Sequence, residues 1–452
     1  MKVTLITPQV GRKIDAKYIR TWQMEPLPIA TLAGLTPKGI EIEHFDERIE
    51  PIDFNTKTDL VGIHTETYTA KRSYEICEKF RKRGIPTIIG GYHAMLIPDE
   101  VSQYADSVMV GYAEGVWPEI LQDLERGKLK KYYKQKAIEG IKFSLPNRDI
   151  FQNKKYLKLH CVETVRGCPY RCNFCAIAAA TKSTCVFRPI DIIIEDIKNL
   201  RYKLILFVDD NIFGNISRAE ELFRRLIPLK VKWVSQGSLN LSRNERVLEL
   251  MKESGCLGLL VGFESFNTKT LELMDKHTNI AFRGDYKEAV KTFHKYGIGL
   301  YATFVFGYDS ETLEDLGETV ERAIDLKFFM AAFNHLVPFP GTPLYKQLLK
   351  QKRLTNKKWW LDPKFRYGQA PFLPKNYTSE ELRDACIAAR RKFFGFPSII
   401  KRSTNFQGNL SSPLKIGAYL YANYMLGKEV DQKAGLPLGN IPSVPKLRKN
   451  LN

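Results

Sequence analysis

Three cysteines that lie close together are the residues of this chain with the clearest capacity for chemistry. Cys168, Cys172 and Cys175 have the spacing C-x3-C-x2-C and follow an apolar run in a chain of 452 residues. Thiolates bind iron–sulfur clusters, and a cubane cluster normally takes four of them. The three cysteines therefore predict a loop that binds a 4Fe-4S cluster and leaves one iron open to another ligand.

A structural zinc site is the alternative for these cysteines, with Cys185 or Cys161 as the fourth ligand. Such sites usually pair C-x2-C with a second pair or with histidines, and neither follows in this sequence. A disulfide cluster is disfavoured too, because we expect no signal peptide and the chain has only eight scattered cysteines. Both features favour a cytoplasmic location with reduced thiols.

The segment from Val165 to Cys175 resembles the cluster loop of the radical S-adenosylmethionine (radical SAM) enzymes. The resemblance implies that the amino and carboxylate groups of SAM bind the open iron and that Phe174 lies beside the adenine. It also implies that an electron, from a donor such as flavodoxin or ferredoxin, cleaves SAM to a 5′-deoxyadenosyl radical.

Alternating strand and helix patterns begin at Leu157 and must position this loop. They predict a partial (β/α)6 barrel with strands at residues 157–165, 203–208, 231–236, 258–265, 299–306 and 331–337. Active sites of such barrels lie at the carboxyl ends of the strands. Asp209, Asp210, Ser238 and Glu264 follow or end these strands and are therefore candidate site residues.

The radical SAM resemblance implies roles for some of these residues. The end of the second strand contacts the SAM amino group in that family, and the motif Gly262-Phe263-Glu264 corresponds to one near the ribose or methionyl part. Helix capping is the alternative for Asp209 and Asp210, and a salt bridge at the strand end is the alternative for Glu264.

The first third of the chain alternates short β-branched runs with helical patterns, which predicts a doubly wound parallel sheet. Ligands of such sheets bind at the carboxyl ends of the strands. Gly90 and Gly91 at one strand end permit the backbone to approach a ligand closely, and Thr65 at another strand end offers a hydroxyl. The candidate residues on these loops are Thr65, Gly90, Gly91, His93, Gly111 and Glu114.

The order of elements, the G-G-x-H loop and the G-x-x-E loop make residues 1–140 similar to a cobalamin-binding domain. Together with the cysteine loop, they resemble the cobalamin-binding class of radical SAM enzymes. The motif D-x-H-x-x-G, whose histidine ligates cobalt in many cobalamin proteins, is missing. We therefore assign neither His64 nor His93 as an axial ligand, and a sheet domain that binds no cobalamin is the alternative.

The length of the chain favours several domains. We predict an α/β protein with a cobalamin-binding-like domain at residues 1–140, a linker at 141–156, a radical SAM barrel at 157–345, and a mainly helical capping domain at 346–452. The aromatic side chains of the last region predict either core packing or an apolar substrate pocket.

The net charge of +19 indicates solubility or an anionic partner. Nucleic acid is not expected, because no zinc-finger pair, RNA-binding signature or basic run with interleaved aromatics occurs. No apolar run is long enough to span a bilayer. The stretch from Ser412 to Lys428 fits a peripheral amphipathic helix on acidic lipid, with core packing as the alternative.

The combined resemblance predicts a radical SAM enzyme that performs cobalamin-dependent C-methylation of an unactivated carbon. A lipid, tetrapyrrole, peptide or other secondary metabolite would be the substrate. In this class the cofactors carry the difficult chemistry and the protein supplies orientation and exclusion of water. The enzymatic alternative is cyclisation, carbon–carbon coupling, ring contraction or oxidation without methyl transfer. A zinc or iron–sulfur nucleic-acid-binding module is the alternative from another class.

Overall fold

The computed structural model describes residues 1–13, 16, 18–19, 21–135 and 141–439. These residues form two compact units. The first contains the described residues within 1–157, 358–367 and 433–439, and the second contains residues 158–357 and 368–432. The predicted division into three domains and a linker stays a prediction beside these two units.

The first unit is built on a six-stranded parallel sheet with the strand order β2-β1-β3-β4-β5-β6. This confirms the predicted doubly wound sheet. Its strands are β1 (Lys2–Thr7), β2 (Glu41–Asp46), β3 (Leu60–His64), β4 (Thr87–Gly90), β5 (Ser107–Val110) and β6 (Tyr132–Lys134). Its helices are α1 (Leu27–Leu35), α2 (Ala70–Arg81), α3 (Tyr92–Leu96), α4 (Pro98–Tyr104) and α5 (Trp117–Glu125).

The second unit contains another six-stranded parallel sheet, with the order β7-β10-β11-β12-β13-β14. Because neighbouring strands follow one another along the chain and helices connect them, this is the arrangement of a partial (β/α)6 barrel. The strands are β7 (His160–Val162), β10 (Leu204–Phe207), β11 (Lys232–Gly237), β12 (Cys256–Glu264), β13 (Gly299–Phe306) and β14 (Met330–His335). A separate antiparallel pair consists of β8 (Val165–Arg166) and β9 (Val186–Phe187).

Helices of the second unit pack around this sheet and continue after it. Asparagine side chains cap three of them, as at Asn215, Asn244 and Asn267. The helices are α6 (Ala176–Thr181), α7 (Ile190–Lys198), α8 (Ile216–Leu226), α9 (Glu245–Glu253), α10 (Thr268–Leu273), α11 (His277–Ile280), α12 (Lys287–Lys295), α13 (Leu313–Asp325), α14 (Pro343–Lys350), α15 (Ser379–Phe393), α16 (Phe396–Ser403) and α17 (Pro413–Lys433).

The last helices pack against the later strands of the barrel sheet, and the predicted cap over the open side of the barrel stays a prediction. The Arg390 guanidinium of α15 donates to Phe333 O, so this helix covers the edge strand β14. Arg402 and Lys415 donate to the carbonyls of Phe328 and Gly297, which precede β14 and β13. Helices α16 and α17 therefore pack at the amino-terminal ends of these strands. Across the described residues, no helix combines the length and hydropathy of a membrane span.

Three buried histidines make the fold sensitive to acid. Burial lowers the pKa of His44 in the first unit to about 3. It lowers the pKa values of His294 and His335 in the second unit to about 4. In the unfolded chain each imidazole has a pKa of about 6.5. Between these values the unfolded state binds more protons than the folded state.

We therefore expect stability to fall as the pH drops below about 6, with part of the fall opposed by Asp209 and Glu311, because burial raises the pKa of each of these carboxyls to about 7. Each of these histidines should remove roughly 1.4 kcal/mol from the free energy of unfolding per pH unit. Calorimetric midpoints measured from pH 7 to pH 5 check this expectation. A midpoint that stays constant over this range would contradict the expectation.

Candidate active site

The three cysteines lie on the loop that leads from β8 into α6. Gly167 begins this loop with a φ of +87°, and a Cβ atom there would lie 2.0 Å from Thr184 O. Only glycine fits both the backbone angle and the contact. At the other end, Cys175 N donates to Cys172 O and Cys175 precedes the first turn of α6. The loop is thus held tightly at both ends.

The cysteine side chains are close enough to influence one another electrostatically. Burial raises the pKa of Cys172 to about 11, the neighbouring Cys175 and Cys168 thiols add to the shift, and Lys276 opposes it. Burial also raises the pKa of Cys175, whereas backbone N–H groups of Ala178 and Ile177 oppose the shift. A cation and N–H donors beside these sulfurs favour the thiolate that iron binds.

The three cysteine side chains suit a 4Fe-4S cluster with one open iron. In the described part of the chain, no three His, Cys, Asp or Glu side chains are grouped as ligands of a single metal ion. A cubane cluster binds three thiolates through three different iron atoms, so it does not need such a group. Of the two cysteines proposed as a fourth zinc ligand, Cys161 is buried in β7, and Cys185 interacts electrostatically with Cys168.

Glu264 at the end of β12 forms an ion pair beside the cysteine loop. Its carboxylate lies 3.1 Å from Lys276 Nζ, and both side chains are largely buried. Burial alone lowers the pKa of Lys276, but the Glu264 carboxylate and the Cys172 thiol together raise it above its usual value. The salt bridge considered as the alternative for Glu264 is therefore present. A contact of Glu264 with SAM stays a prediction.

The backbone at Glu264 is strained in a way that fits this pairing. Glu264 has a φ of +63°, which is uncommon for a residue with a side chain. A Cβ atom at Gly262 would lie 2.1 Å from the Glu264 carboxylate, so glycine leaves the space that the ion pair occupies. Strained residues of this kind cluster at functional sites. The G-F-E motif thus has a steric explanation within the chain.

Asp209 and Asp210 support the backbone that carries the cysteine loop. The buried Asp209 carboxylate accepts bonds from Thr164 N at 2.6 Å, Thr164 Oγ1 at 2.6 Å and Val165 N at 3.0 Å. Burial raises the pKa of Asp209 to about 7 despite these bonds. Asp210 Oδ2 accepts from Gly167 N at 2.7 Å. The contacts of both residues with SAM stay predictions.

Helix capping, the alternative for this acidic pair, is not what the structure shows. The side chain that caps the following helix α8 belongs to Asn215. The backbone carbonyl of Asp209 accepts from Gln236 Nε2 at 2.9 Å, which ties the end of β10 to that of β11. Ser238 follows β11 and does not cap the next turn with its hydroxyl. Phe174 is partly buried against the barrel core.

Asn173 is a structural hub of the loop that sequence reasoning missed. Its Oδ1 accepts from the Tyr308 hydroxyl at 2.7 Å, its N–H donates to Met274 O, and its carbonyl accepts from Leu344 N. Its side-chain amide also donates to Leu273 O. Four bonds to later segments of the barrel unit fix the residue between Cys172 and Cys175. The only sequence signal is its position within C-x2-C.

Glu311 is a second buried residue that the sequence analysis did not select. Its carboxylate accepts from Gly307 N at 3.1 Å and Tyr308 N at 3.2 Å. It also accepts from Ser265 Oγ at 3.2 Å. Burial raises the pKa of Glu311 to about 7. Glu311 thus joins the ends of β12 and β13 and places Tyr308 where it reaches Asn173.

In the first unit, the predicted cofactor loops meet at the carboxyl ends of neighbouring strands β3, β4 and β5. Thr65 N donates to Gly90 O at 2.8 Å, and the Thr65 hydroxyl donates to Ser73. A Cβ atom at Gly91, whose φ is +103°, would lie 2.5 Å from Thr65 O. At Gly90 a Cβ atom would lie 2.6 Å from Met109. Contacts within the chain therefore already require Gly91, whereas at Gly90 the close atom is the flexible end of the Met109 side chain.

The other predicted residues of this unit lie at the same carboxyl edge of the sheet. Gly111 directly follows β5 with a φ of +108°, and a Cβ atom there would lie 2.9 Å from Gln135. Glu114 belongs to the short 3-10 turn Ala113–Gly115. The structure thus brings the predicted loops together. Their contacts with cobalamin stay predictions.

His93 takes part in an internal network of the first unit. The ring is fully buried, with Nδ1 3.2 Å from Thr67 Oγ1 and Nε2 3.1 Å from the Tyr74 hydroxyl. Glu100 accepts from the same hydroxyl and from Trp360 Nε1. Because both ring nitrogens already have partners, the ring has a structural role. A cofactor contact of His93 stays a prediction.

We expect the Tyr308–Asn173 hydrogen bond to slow loss of iron from the loop. Tyr308→Phe removes a net stabilisation of about 1 kcal/mol, so a chelator should extract iron from the reconstituted protein roughly fivefold faster. Absorbance during anaerobic chelation measures this rate. Tyr296→Phe is the matched control, because its hydroxyl binds Glu245 elsewhere. Equal rates in both variants would show that Asn173 does not stabilise the loop.

Known proteins that resemble this chain agree with the prediction of a radical SAM enzyme. Residues 162–323 match the radical SAM superfamily. The chain is 29% identical over 391 residues to bacteriochlorophyllide d C-12(1)-methyltransferase of Chlorobaculum tepidum, which covers 83% of this chain and 84% of that protein. It is 28% identical over 353 residues to bacteriochlorophyllide d C-8(2)-methyltransferase of the same organism, covering 74% of this chain and 78% of that protein.

A solved structure resembles the whole fold. The cobalamin-dependent S-adenosylmethionine radical enzyme OxsB, with aqua-cobalamin and S-adenosylmethionine bound, superposes with a TM-score of 0.64 at 15% identity. The match covers 95% of this chain and 71% of that chain. At this identity the likeness concerns the fold, and it extends over both units.

Proposed function

We propose that this chain, which belongs to the radical SAM superfamily, is a cobalamin-dependent methyltransferase that acts on an unactivated carbon of a hydrophobic metabolite. The observation that carries the proposal is the cysteine loop, held by the buried Asp209 and the partly buried Asp210 at the carboxyl end of β10. A cobalamin-type parallel sheet precedes the barrel in the same chain.

The cofactors would supply the bond-breaking chemistry. When bound, a reduced 4Fe-4S cluster provides the electron that cleaves SAM to a 5′-deoxyadenosyl radical, and cobalamin carries the methyl group. We propose a flavodoxin or ferredoxin as the source of that electron.

The chain's own residues would hold and orient these groups. Cys168, Cys172 and Cys175 provide the three thiolates, and Lys276 provides a positive charge beside them. We place SAM over the loop, with its amino and methionyl groups directed toward Asp210 and Glu264. A carboxylate complements the amino donors there. Phe174, next to the last cysteine, would face the adenine.

We place cobalamin at the carboxyl edge of the first sheet. Its strand order reverses between β1 and β3, and ligands of such sheets bind at this switch point. Thr65 follows β3 there, and the loops at Gly90, Gly91, Gly111 and Glu114 extend the same edge. Because both His93 nitrogens are occupied by protein groups, we propose binding without His93 as an axial ligand.

A tetrapyrrole or a lipid is the substrate class we propose. The two methyltransferase relatives act on bacteriochlorophyllide d, a small hydrophobic tetrapyrrole derivative. The same relatives favour methyl transfer over cyclisation, coupling or oxidation without it.

Replacement of the cluster ligands tests this function. Cys168→Ala, Cys172→Ala and Cys175→Ala should each reduce 5′-deoxyadenosine formation to background, because each removes an iron ligand. The assay uses reconstituted full-length protein with SAM, methylcobalamin and a reductant, and chromatography with mass spectrometry measures the products. Cys386→Ala is the control, since this buried cysteine lies outside the loop, and it should retain activity.

The same assay separates the alternatives. Methyl transfer predicts a product heavier by one methyl group and retention of corrinoid by the protein. Deoxyadenosine formation without a methylated product, when candidate tetrapyrroles and lipids are supplied, would favour other radical chemistry. Zinc without iron or acid-labile sulfide, together with loss of that zinc in Cys185→Ala, would contradict the enzyme and favour the zinc-binding alternative.

A further inference from the structure

The segment from α16 through α17 has an inverted distribution of polar and apolar side chains. Eight of the fifteen large hydrophobic side chains exposed on the described part of the chain lie between residues 396 and 424. We call these eight the outward face. They are Phe396, Ile400, Phe406, Leu414, Ile416, Leu420, Tyr421 and Tyr424.

Polar side chains of the same segment point the other way and are buried. Arg402 is fully buried and donates to Phe328 O, Phe329 O and Phe393 O, as well as to Asn423 Oδ1. Lys415 is 4% exposed and donates to Gly297 O and Gly408 O. Hydrogen bonds to carbonyls therefore attach the segment to the barrel, and its apolar side chains are left outside.

The pattern along α17 follows the helical repeat. Lys415, Tyr419 and Asn423 are spaced four residues apart and form the buried stripe. Leu420 and Tyr424 are also four apart and lie on the opposite side, with exposures of 57% and 58%. An ordinary surface helix of a globular protein buries its apolar stripe and exposes its polar one. This helix does the reverse, which marks an interaction surface.

The charge of the segment indicates what covers this face. From α16 through α17, residues 396–433 contain five Lys or Arg and two Asp or Glu, within a chain of net charge +19. Arg391 and Lys401 pair with Asp431 and Asp325. In contrast, the interactions that hold Arg402 and Lys415 are with uncharged carbonyl, amide and hydroxyl oxygens. Arg402 and Lys415 are thus buried beneath the apolar surface, and Lys428 is an exposed cation beside it.

The rim of the face also suits a lipid interface. Lys428 Nζ lies 4.2 Å from the centre of the Tyr424 ring and bonds to its hydroxyl. Tyrosine rings and long basic side chains favour the boundary between headgroups and acyl chains. Exposed apolar side chains beside an excess of cations are the features of interfacial helices that bind anionic lipid.

We propose that the outward face is a docking surface for an anionic phospholipid bilayer, so that the protein is a peripheral membrane protein. The apolar side chains enter the headgroup boundary, and Lys428 together with the net positive charge of the chain attracts acidic lipid. The surface lies at the amino-terminal ends of β13 and β14, at the opposite end of these strands from the cysteine loop. Membrane binding is therefore separable from the proposed methyl transfer.

Vesicle binding by the full-length protein tests the proposal. We expect the protein to sediment with vesicles of phosphatidylcholine and phosphatidylglycerol and to bind pure phosphatidylcholine vesicles much more weakly. Raising the salt concentration should release it, since salt screens the attraction to acidic lipid. The variant Leu420→Ser/Tyr424→Ser should bind at least roughly tenfold more weakly, because it removes two large apolar groups from the contact.

A matched control keeps this loss of binding interpretable. Leu373 is 53% exposed and lies outside the outward face, so Leu373→Ser should bind vesicles as the unaltered chain does. Thermal midpoints and iron content after reconstitution should be the same in all variants. A tryptophan placed in the face gives a positive test. Brominated lipid should quench the fluorescence of the Tyr424→Trp variant more strongly than that of the unaltered protein.

Two results would overturn the proposal. One is absence of binding by the unaltered protein to the acidic vesicles at low salt. The other is a dimer, measured by sedimentation velocity without lipid, that Leu420→Ser/Tyr424→Ser converts to a monomer, since a second copy of the chain would then cover the face. Neither result depends on SAM cleavage, so the proposed enzymatic function is tested separately.

Discussion

The carboxylate of Asp209 holds the backbone from which the cysteine loop departs. It receives three hydrogen bonds from Thr164 and Val165 although it is fully buried. Removing a carboxylate from water costs several kcal/mol, and hydrogen bonds of this kind offset that cost. The neighbouring Asp210 fixes Gly167 in the same way. The end of β10 thus sets the start of the loop, and the position of the thiols follows from it.

The later strands fix the other part of the loop. Glu311 ties β12 to β13, Tyr308 extends from that tie to Asn173, and Asn173 lies between two of the cysteines. The Glu264–Lys276 pair adds a cation beside the sulfurs. Glu264 and the backbone groups that Glu311 binds lie at strand ends, where the regular hydrogen bonding of the sheet stops. They arrange the loop before any cofactor binds, which lowers the cost of ordering it on binding.

Local patterns in the sequence predicted most of the fold. Buried parallel strands are continuous apolar runs, so β12 and β13 were predicted to within two residues of their observed ends. The short edge strand β6 lies in a lysine-rich stretch and was missed as a strand. Trp360 belongs to the first unit, where it binds Glu100 across 260 positions of sequence. No local pattern carries such a contact.

The sequence predicted the residue types of the candidate site but not their contacts. The spacing of the cysteines and the acidic residues after strands were visible in the sequence, but the partners of those residues were not. Asn173 and Tyr308 are 135 positions apart, and only folding brings them together. Likewise, the residue types of Gly90, Gly91 and His93 indicated a ligand-binding loop. In the structure, contacts inside the first unit account for the backbone conformation of Gly91 and for the hydrogen bonds of the His93 ring.

The central claim is that three thiolates hold a cluster whose open iron binds SAM. Electron–nuclear double resonance of the reduced, reconstituted protein with SAM labelled with 15N at the amino group tests it most directly. The account predicts a changed electron paramagnetic resonance signal on addition of SAM and a hyperfine coupling to that nitrogen. A reduced cluster whose signal stays the same with SAM, and that shows no coupling to the label, would contradict it.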